Sequence, residues 1–405
     1  MPLPQVSSRQ FTSGALCISV PHVTPDNTNQ QVMALFNTHK ALIGLPVLND
    51  QHPVGMINRH HFLSSMSRPF FHELYDSKSC TAFMDNDPLV IDAQTTLNDL
   101  AQRVVETGDK AVTEGFILTQ DGRYTGIGLG IDLIKTVSEL HARQHQQIMQ
   151  SIDYARVIQE AMLARSRQAI SHCLEDWCLF WQPRDVVGGD FYAFYPYAEG
   201  WLAVIADCTG HGVPGAFMTV IFSSALEKAL TQAPPDAPEK LLQTINQYIK
   251  QTLGQTDTRS SDGHSASNDG CDAIALYVDT ARGIARWASA RTTAFILPAD
   301  HTSPALLMAD RCGIGYVDTP FDGEWTRNER QLLPGDKIVI MTDGVTDQPG
   351  DARNIMFGRK RIQSILDRHK TCSMAEISHV LHQELMAWQG QQNARDDITW
   401  FGFSW

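Results

Sequence analysis

Four short stretches between residues 187 and 398 carry aspartate close to apolar residues and within a few positions of glycine or a second acid. In sequence order they are Val187-Gly188-Gly189-Asp190, Ile205-Ala206-Asp207-Cys208, Met341-Thr342-Asp343-Gly344 and Arg395-Asp396-Asp397-Ile398. A single Asp-Gly pair most often marks a plain turn. If apolar strands run into all four acids and the strand ends lie side by side, the carboxylates cannot all stay ionised without a cation. Because hard oxygen ligands with open positions suit Mg²⁺ and Mn²⁺, the stretches predict a divalent-metal site.

The overall composition narrows the class of protein that could carry such a site. The chain has 405 residues, of which 43% are hydrophobic and 19% charged, so there is apolar material for two or three domains. Its 45 acidic and 32 basic residues give a formal net charge of −13. A chain this acidic is not expected to bind nucleic acid or an anionic membrane surface, because both would repel it.

Cysteine usage and the first residues of the chain predict a cytoplasmic location. The eight cysteines form no Cys-x-x-Cys pair and no zinc-finger spacing, so we expect reduced thiols. Residues 1–6 lack a basic region followed by an apolar stretch, which argues against a signal peptide. No apolar run approaches the roughly 20 residues that span a bilayer, and no membrane insertion is predicted.

Residues 175–405 are predicted to form alternating strands and helices that position the acidic stretches. Strands are predicted at Trp177–Gln182, Leu202–Ala206, Ala273–Asp279, Ile284–Ser289, Ala294–Leu297, Lys337–Thr342 and Thr399–Phe403. Helices are predicted at Gly215–Ala229, Pro238–Thr252, Gly358–Asp367 and Ser373–Gln389. The stretch 255–270, rich in Ser, Asp and Gly, is expected to be a mobile surface loop.

Residues 1–135 contain two copies of a strand-turn-strand-helix pattern about 70 residues apart. The copies include Leu45-Pro46-Val47-Leu48-Asn49-Asp50 and Gly115-Phe116-Ile117-Leu118-Thr119-Gln120-Asp121-Gly122. This arrangement resembles a tandem cystathionine-β-synthase-type (CBS) module, an α/β regulatory domain. The resemblance implies an adenine-nucleotide site in which Asp132 of the second copy holds the ribose hydroxyls. That copy has Leu129 where the family places a phosphate-binding hydroxyl, and the first copy has Asn58 and His61 at the corresponding positions. A dimerising scaffold without ligand is therefore the interpretation that we favour, and a nucleotide site is the alternative.

A helical stretch without Gly or Pro runs from Ile131 to Ile170 and predicts a linking helix over residues 136–170. Ile148, Ile152, Ala155 and Met162 recur at a 3.5-residue spacing with Gln159 in register. One interpretation is an amphipathic helix that packs on its own domain. The other, which we favour, is a parallel helix that pairs two protomers into a homodimer.

The acidic stretches and their flanking residues resemble one family. The residues that carry the resemblance are Gly-Gly-Asp-Phe-Tyr at 188–192, Asp-Cys-Thr-Gly-His-Gly-Val-Pro-Gly-Ala-Phe-Met-Thr at 207–219, Met-Thr-Asp-Gly-Val-Thr-Asp at 341–347 and Asp-Asp-Ile-Thr at 396–399. Over roughly residues 150–405 the chain is similar to the SpoIIE-type phosphatases, bacterial members of the PPM class of metal-dependent serine/threonine phosphatases. The resemblance implies an α+β chain whose residues 171–405 form an αββα sandwich, with the metal site in a cleft at one edge of the two sheets.

Matched position by position, the resemblance implies a site for two Mn²⁺ or Mg²⁺ ions. Asp207 would bridge the ions, and the backbone carbonyl of Cys208 would bind one of them. Asp343 and Asp396 would complete the second ion's ligands, and Asp190 would hold a bound water or add a ligand. Metal coordination lowers the pKa of a water, which could then attack phosphorus.

Two further side chains are candidates for the reaction. His211, four residues after Asp207, could protonate the leaving seryl oxygen; alternatively it is satisfied by backbone groups at a helix N-terminus. Arg184 is a candidate phosphate contact, with a solvated surface arginine as the alternative.

The resemblance implies a phosphatase under control of the N-terminal sensor module. Its expected substrate is a phosphorylated STAS-domain protein, an anti-sigma-factor antagonist that carries phosphoserine or phosphothreonine. The rival prediction from another class is a non-catalytic, ligand-sensing switch that docks a signalling partner.

Overall fold

Helices and strands are present in both halves of the computed structural model, which describes residues 11–256, 268–350 and 354–405. The chain divides into two units, residues 1–148 and 149–405. The predicted domain boundaries after residues 135 and 170 both lie within one long helix, Gly130–Cys173. Most of the loop predicted at 255–270 lies outside the described residues.

The described part of the first unit contains five strands and the beginning of the long helix. Its strands are β1 (Gly44–Asn49), β2 (His52–Asn58), β3 (Val90–Asp92), β4 (Phe116–Gln120) and β5 (Arg123–Gly128). Its helices are α1 (Asn29–Thr38), α2 (Arg59–Met66), α3 (Phe71–Tyr75), α4 (Leu97–Thr107), α5 (Asp109–Glu114) and α6 (Gly130–Cys173), which continues into the second unit. Two short 3₁₀ turns complete it, Ser13–Leu16 and Cys80–Phe83.

The predicted repeat is visible as two similar hairpins in the first unit. β1 pairs with β2 and β4 pairs with β5, both antiparallel. Each hairpin has an irregularity at the corresponding place, between Val47 and Leu48 in the first and between Leu118 and Thr119 in the second. Each copy also has its own apolar core, so the repeat consists of two packed halves.

The described residues of the second unit form two antiparallel sheets of five strands each and one short two-stranded sheet. Its strands are β6 (Trp177–Gln182), β7 (Asp190–Tyr197), β8 (Gly200–Cys208), β9 (Cys271–Asp279), β10 (Ile284–Ala290), β11 (Thr293–Leu297), β12 (Ala305–Leu306), β13 (Asn328–Gln331), β14 (Lys337–Met341), β15 (Pro349–Gly350), β16 (Ile355–Met356) and β17 (Ile398–Ser404). Its helices are α7 (Gly212–Gln232), α8 (Pro238–Leu253), α9 (Asp343–Thr346), α10 (Arg359–Arg368) and α11 (Met374–Gln389). The strand orders are β13-β10-β9-β8-β7 and β12-β11-β14-β17-β6.

The two sheets lie between two helical layers, which confirms the predicted αββα sandwich. On β14, Ile338 and Ile340 belong to the core that the two sheets share, whereas Val339 and Met341 pack with residues of α10 and α11. This alternation follows from the two-residue period of a strand that is buried on both faces. On the other side, α7 and α8 pack against the sheet that contains β8.

The last third of α6 packs on its own unit, as the first interpretation of the helical stretch stated. Gln159, Leu163 and Ile170 are buried there. The face that includes Gln159 therefore faces the sandwich, and its use as a seam between two protomers was a wrong interpretation for this part of the helix. Tyr154, Val157 and Ile158 lie on a different, exposed face.

Candidate active site

Three aspartates form a row across neighbouring strands of one sheet. Asp190 begins β7, Asp207 lies near the end of β8, and Asp272 lies near the start of β9. Asp190 is the direct partner of Asp207, and Asp207 is the direct partner of Asp272. Because directly opposed residues of antiparallel strands point to the same side of a sheet, the three carboxylates lie on one face at adjacent positions.

The second sheet brings more carboxylates to the same edge. Asp343 follows β14, and its backbone N–H donates to Asp207 Oδ2 at 3.3 Å. Asp396 and Asp397 immediately precede β17, which pairs with β14. The Thr342 hydroxyl ties the two sheets together here, because it donates to Asp190 Oδ2 at 2.8 Å. The two sheets thus meet at a cluster of acids.

The positions of these acids correct one part of the sequence-based prediction. Asp207 and Asp343 do lie at or after the ends of their strands, but Asp190 is the first residue of β7 and Asp396 precedes β17. The acids still meet because neighbouring strands are antiparallel, so the start of one strand lies beside the end of the next.

Burial and mutual repulsion dominate the electrostatics of the cluster. Burial raises the pKa of Asp207 well above its usual range, and the charges of Asp190, Asp343 and Asp396 raise it further. The pKa of Asp190, which is 1% exposed, is raised in the same way by burial and by the nearby Asp397 and Asp396. For Asp343, burial and the charge of Asp396 also raise the pKa. The cluster is therefore unfavourable for the folded protein at neutral pH unless a cation balances it.

Among the described residues, two buried oxygens of the row have no hydrogen-bond partner, namely Asp190 Oδ1 and Asp272 Oδ1. Asp272 Oδ1 has only the Arg291 guanidinium at 3.7 Å. Buried polar atoms are otherwise almost always paired. Within the described residues, no three His, Cys, Asp or Glu side chains form a ready-made metal site. The unpaired oxygens and the all-oxygen set of donors nevertheless fit a divalent cation such as Mg²⁺ or Mn²⁺.

The backbone around Cys208 leaves its carbonyl close to a glycine. A Cβ at Gly189 would lie 2.6 Å from the carbonyl oxygens of both Cys208 and Gly210, so only glycine fits at this position. The Cys208 side chain is buried in the core and meets the Cys271 thiol at 2.9 Å. The Cys208 side chain is therefore not directed at the acids, and the metal-binding role of its backbone carbonyl stays a prediction.

Asp397 holds the loop that leads to Asp190. Its carboxylate accepts hydrogen bonds from the backbone N–H groups of Arg184, at 2.6 Å, and Gly189. On the other side of the same loop, the side chain of Gln159 donates to the Gly188 carbonyl at 2.7 Å and accepts from the Gly188 N–H at 3.2 Å. Helix α6 and the start of β17 thus fix the loop from both sides.

His211 has a partner that neither sequence-based interpretation included. It is the N-cap residue of α7 and makes no side-chain cap hydrogen bond. Its Nδ1 lies 2.6 Å from Asp185 Oδ2, 26 residues earlier in the chain. A carboxylate on Nδ1 favours the tautomer in which Nε2 can exchange a proton with another group.

Arg184 and Asp132 occupy other environments than the acidic cluster. The Arg184 guanidinium donates to the Arg395 carbonyl at 3.1 Å, so it holds the segment that precedes Asp396. Asp132 lies in the first turn of α6, in the first unit. A separate cavity of about 560 Å³ lies within that unit, and Asn58 of the first copy is among the residues that line it.

A cavity of about 550 Å³ opens beside the acidic cluster. Its walls carry both signs of charge, and the charged residues are Asp207, Asp272, Arg291, Asp310, Arg311, Asp343, Asp347 and Arg359. Arg291 was not predicted from the sequence, and Asp272 was considered only as a support for the site or as a turn cap, because their positions depend on strand register and on a turn. The Asp-Gly-Cys-Asp run at 269–272 was the available signal for Asp272.

Comparison with known proteins identifies the domain that carries this site. The sequence model of the SpoIIE family, described as Stage II sporulation protein E, matches residues 198–405, slightly more than half of the chain. The chain belongs to the SpoIIE family. The predicted SpoIIE-type phosphatase domain is therefore confirmed. A CBS-domain model matches residues 17–68, which is the first copy of the repeat.

Two individual relatives can be compared in more detail. The solved SiaA-PP2C domain of Pseudomonas aeruginosa is 32% identical, with a TM-score of 0.58, and the match covers 65% of this chain and 99% of that one. The phosphoserine phosphatase RsbP of Bacillus subtilis (strain 168) is 25% identical over 162 residues, which are 40% of this chain. The match spans 37% of the length of RsbP.

One helix, α7, is long and apolar enough to span a membrane by length and composition among the described residues. In the structure, Phe222, Ala225 and Leu226 of this helix pack in the core of the sandwich, as expected for the core helix of a folded domain.

Proposed function

We propose that the chain is a metal-dependent serine/threonine protein phosphatase. The observation that carries the proposal is the row Asp190, Asp207 and Asp272, completed from the second sheet by Asp343 and Asp396, with Asp190 Oδ1 buried and unpaired. This arrangement concentrates negative charge that only a cation can offset. The name of the relative RsbP, phosphoserine phosphatase, supports the choice of phosphoserine.

The residues that would hold two Mn²⁺ or Mg²⁺ ions are Asp190, Asp207, Asp343, Asp396 and the carbonyl of Cys208. When bound, such ions lower the pKa of water and neutralise charge on a phosphoryl group. The protein's own part is to orient the ligands. Asp397 and Gln159 fix the loop before Asp190, and the Thr342 hydroxyl holds one Asp190 oxygen so that the other faces away from it.

His211 is proposed as the group that gives a proton to the leaving seryl oxygen. The Asp185 carboxylate, 2.6 Å from Nδ1, orients the ring so that Nε2 is left for the proton transfer. Arg184 is not assigned to phosphate binding in this proposal, since it does not line the cavity beside the acidic cluster. Its guanidinium donates instead to the Arg395 carbonyl.

The proposal is tested by phosphate release from a phosphoserine-containing protein in the presence of Mn²⁺. Asp207→Ala and Asp343→Ala are each expected to lower the rate at least about 100-fold, because each removes a ligand that stabilises transition-state charge. Asp310→Ala is the matched control, because Asp310 lines the cavity but is bound to Thr326. Activity that survives both ligand substitutions would reject the mechanism.

For the substrate, we propose a phosphorylated STAS-domain protein. A docking switch without catalysis is the competing proposal, and the same assay separates them. A switch would bind the phosphoprotein and leave its phosphate in place, whether or not Mn²⁺ is present.

For the regulation of phosphatase activity, we propose that the N-terminal unit acts as a sensor. We also propose that the chain forms a homodimer through α6. Adenine nucleotide bound near Asp132 remains a candidate signal. If Asp132→Ala left nucleotide-induced thermal stabilisation of the full-length protein unchanged, that assignment of Asp132 would be wrong.

A further inference from the structure

Arg291 has a backbone conformation that is unfavourable for an arginine. It lies in the tight turn between β10 and β11, with φ of 63°. Residues with a side chain rarely adopt this left-handed conformation, and glycine is the residue that fits it without steric cost. Backbone strain of this kind is often found at functional sites, where the surrounding structure maintains it.

The surroundings of Arg291 hold its guanidinium in one place. Its Nε donates to the Arg311 carbonyl at 2.9 Å. The guanidinium lies over the Tyr316 ring, 5.3 Å from the ring centre. Its Nη1 is 3.7 Å from Asp272 Oδ1, and 40% of the side chain is exposed. These contacts engage Nε and one side of the group, so part of the donor fork can reach a ligand.

The exposed part of Arg291 opens on the cavity that Asp207 and Asp343 also line. Arg311 and Arg359 line the same cavity. Aspartates and three arginines around one space suit a ligand that binds both cations and guanidinium groups. A phosphate monoester has this chemistry, because its oxygens accept bidentate hydrogen bonds from arginine.

We propose that Arg291 binds the phosphate of the substrate beside the metal ligands. This inference rests on the proposed phosphatase function and adds to it the residue that positions the phosphoryl group. The strained turn is then the means by which the arginine reaches the cavity. Asp272, beside Asp207 in the row, holds the guanidinium between turnovers.

The test compares Arg291→Gly and Arg291→Lys in the full-length protein with Mn²⁺. The probes are p-nitrophenyl phosphate as substrate and inorganic phosphate as inhibitor. Arg291→Gly relieves the left-handed strain but loses the carbonyl contact, so its Tm is expected to stay close to that of the wild type. Its kcat/KM should fall roughly 10-fold to 100-fold, and inhibition by phosphate should weaken by a similar factor.

Arg291→Lys should have intermediate values, because lysine keeps the charge and loses the planar fork. His301→Gly is the matched control. His301 also has a positive φ, 60°, and its backbone carbonyl, which is unaffected by the substitution, accepts from Lys370. This variant should keep both kcat/KM and phosphate inhibition.

An Arg291→Gly protein that keeps wild-type kcat/KM and phosphate inhibition would overturn the role of Arg291 and leave the phosphatase function intact. If the wild-type protein releases no phosphate, the phosphatase function fails instead. In that case the phosphate-binding role of Arg291 is tested by thermal unfolding: the measured quantity is the rise in Tm that inorganic phosphate causes in the Mn²⁺-loaded protein. Loss of this rise in Arg291→Gly supports the proposal, and an unchanged rise rejects it.

Discussion

At the scale of single residues, Asp190 shows how the site opposes the stability of the fold. Its carboxylate is 1% exposed, one oxygen is unpaired, and Asp397 lies nearby with the same charge. A buried carboxylate in this position stabilises nothing by itself. The free energy lost by burying the Asp190 carboxylate is explained if this carboxylate binds a cation.

We therefore predict that Asp190→Asn raises the Tm of the metal-free protein and abolishes the further rise on adding Mn²⁺. The amide keeps an oxygen to accept from Thr342 and removes a buried charge. Asp336→Asn is the control, because Asp336 is equally buried but accepts from the N–H groups of Ala299 and Leu333. Asp336→Asn should lower Tm, with the Mn²⁺ response retained. Calorimetry with EDTA or Mn²⁺ distinguishes the two, and a lower metal-free Tm for Asp190→Asn would contradict the prediction.

Asp272 gives a prediction about pH. Burial raises its pKa to about 6, although Arg291 acts in the opposite direction. Between about pH 4 and about pH 6, the folded protein keeps a proton on Asp272 that the unfolded chain, with an ordinary Asp pKa of about 3.9, has released. The free energy of unfolding therefore contains a contribution from Asp272 that is fully present below about pH 4 and is lost as the pH rises through about 6.

The measurement is the free energy of unfolding in urea with EDTA, taken from pH 4 to pH 7 for the wild type and Asp272→Asn. The wild type should lose stability relative to the variant as the pH rises. A constant difference between the two proteins across this range would show that the pKa of Asp272 is not raised.

At the scale of elements, the helix α6 is connected to the acidic cluster by one buried side chain. Gln159 satisfies both backbone groups of Gly188, two residues before Asp190. Gln159→Leu is expected to destabilise the protein by about 1–3 kcal/mol, because it leaves these two groups buried without partners. It should also lower phosphatase activity, since the loop before Asp190 loses one of its two supports.

Gln168→Leu, at an exposed position of the same helix, is the control for the loss of a glutamine. Urea denaturation and phosphate release are measured on both proteins. Equal stability of the Gln159→Leu and Gln168→Leu variants would show that the contact to Gly188 contributes little.

Most elements of the second unit could be predicted because their periodicity is strong. The strand predicted at Trp177–Gln182 has these same bounds in the structure, and the helix predicted at Ser373–Gln389 begins one residue later, with Ser373 as its N-cap. The strand β7 was missed, since its aspartate had been assigned to the end of a preceding strand. Contacts such as Asp185 with His211, or the row that includes Asp272, depend on register and on chain crossings that local sequence does not encode.

At the scale of the whole molecule, an exposed apolar stripe on α6 is the feature that favours a dimer. Tyr154, Val157 and Ile158 are 69%, 56% and 46% exposed. They lie next to one another on the helix surface, on a different face from Gln159. Burial of such side chains against a second copy would stabilise the dimer by roughly 25 cal/mol per Å² of apolar surface.

The double substitution Val157→Glu and Ile158→Glu is expected to convert a dimer into a monomer, because it places charge in the contact. Light scattering after size exclusion measures the mass. Arg165→Glu, an exposed change on the same helix, is the control and should leave the mass unchanged. A wild-type protein that is monomeric at every concentration would reject the dimer.

The hairpin of β7 and β8 has a consequence for which sequence changes the protein can tolerate. Asp190 and Asp207 stand opposite each other only because the chain between them has a fixed length, with Tyr197 paired to Gly200 at the turn. Insertion of a single residue in either strand would turn one carboxylate into the apolar core. The two strands of this hairpin must therefore keep their lengths, even at positions where different side chains are tolerated. Insertions that leave the protein functional should be confined to the turn between the strands.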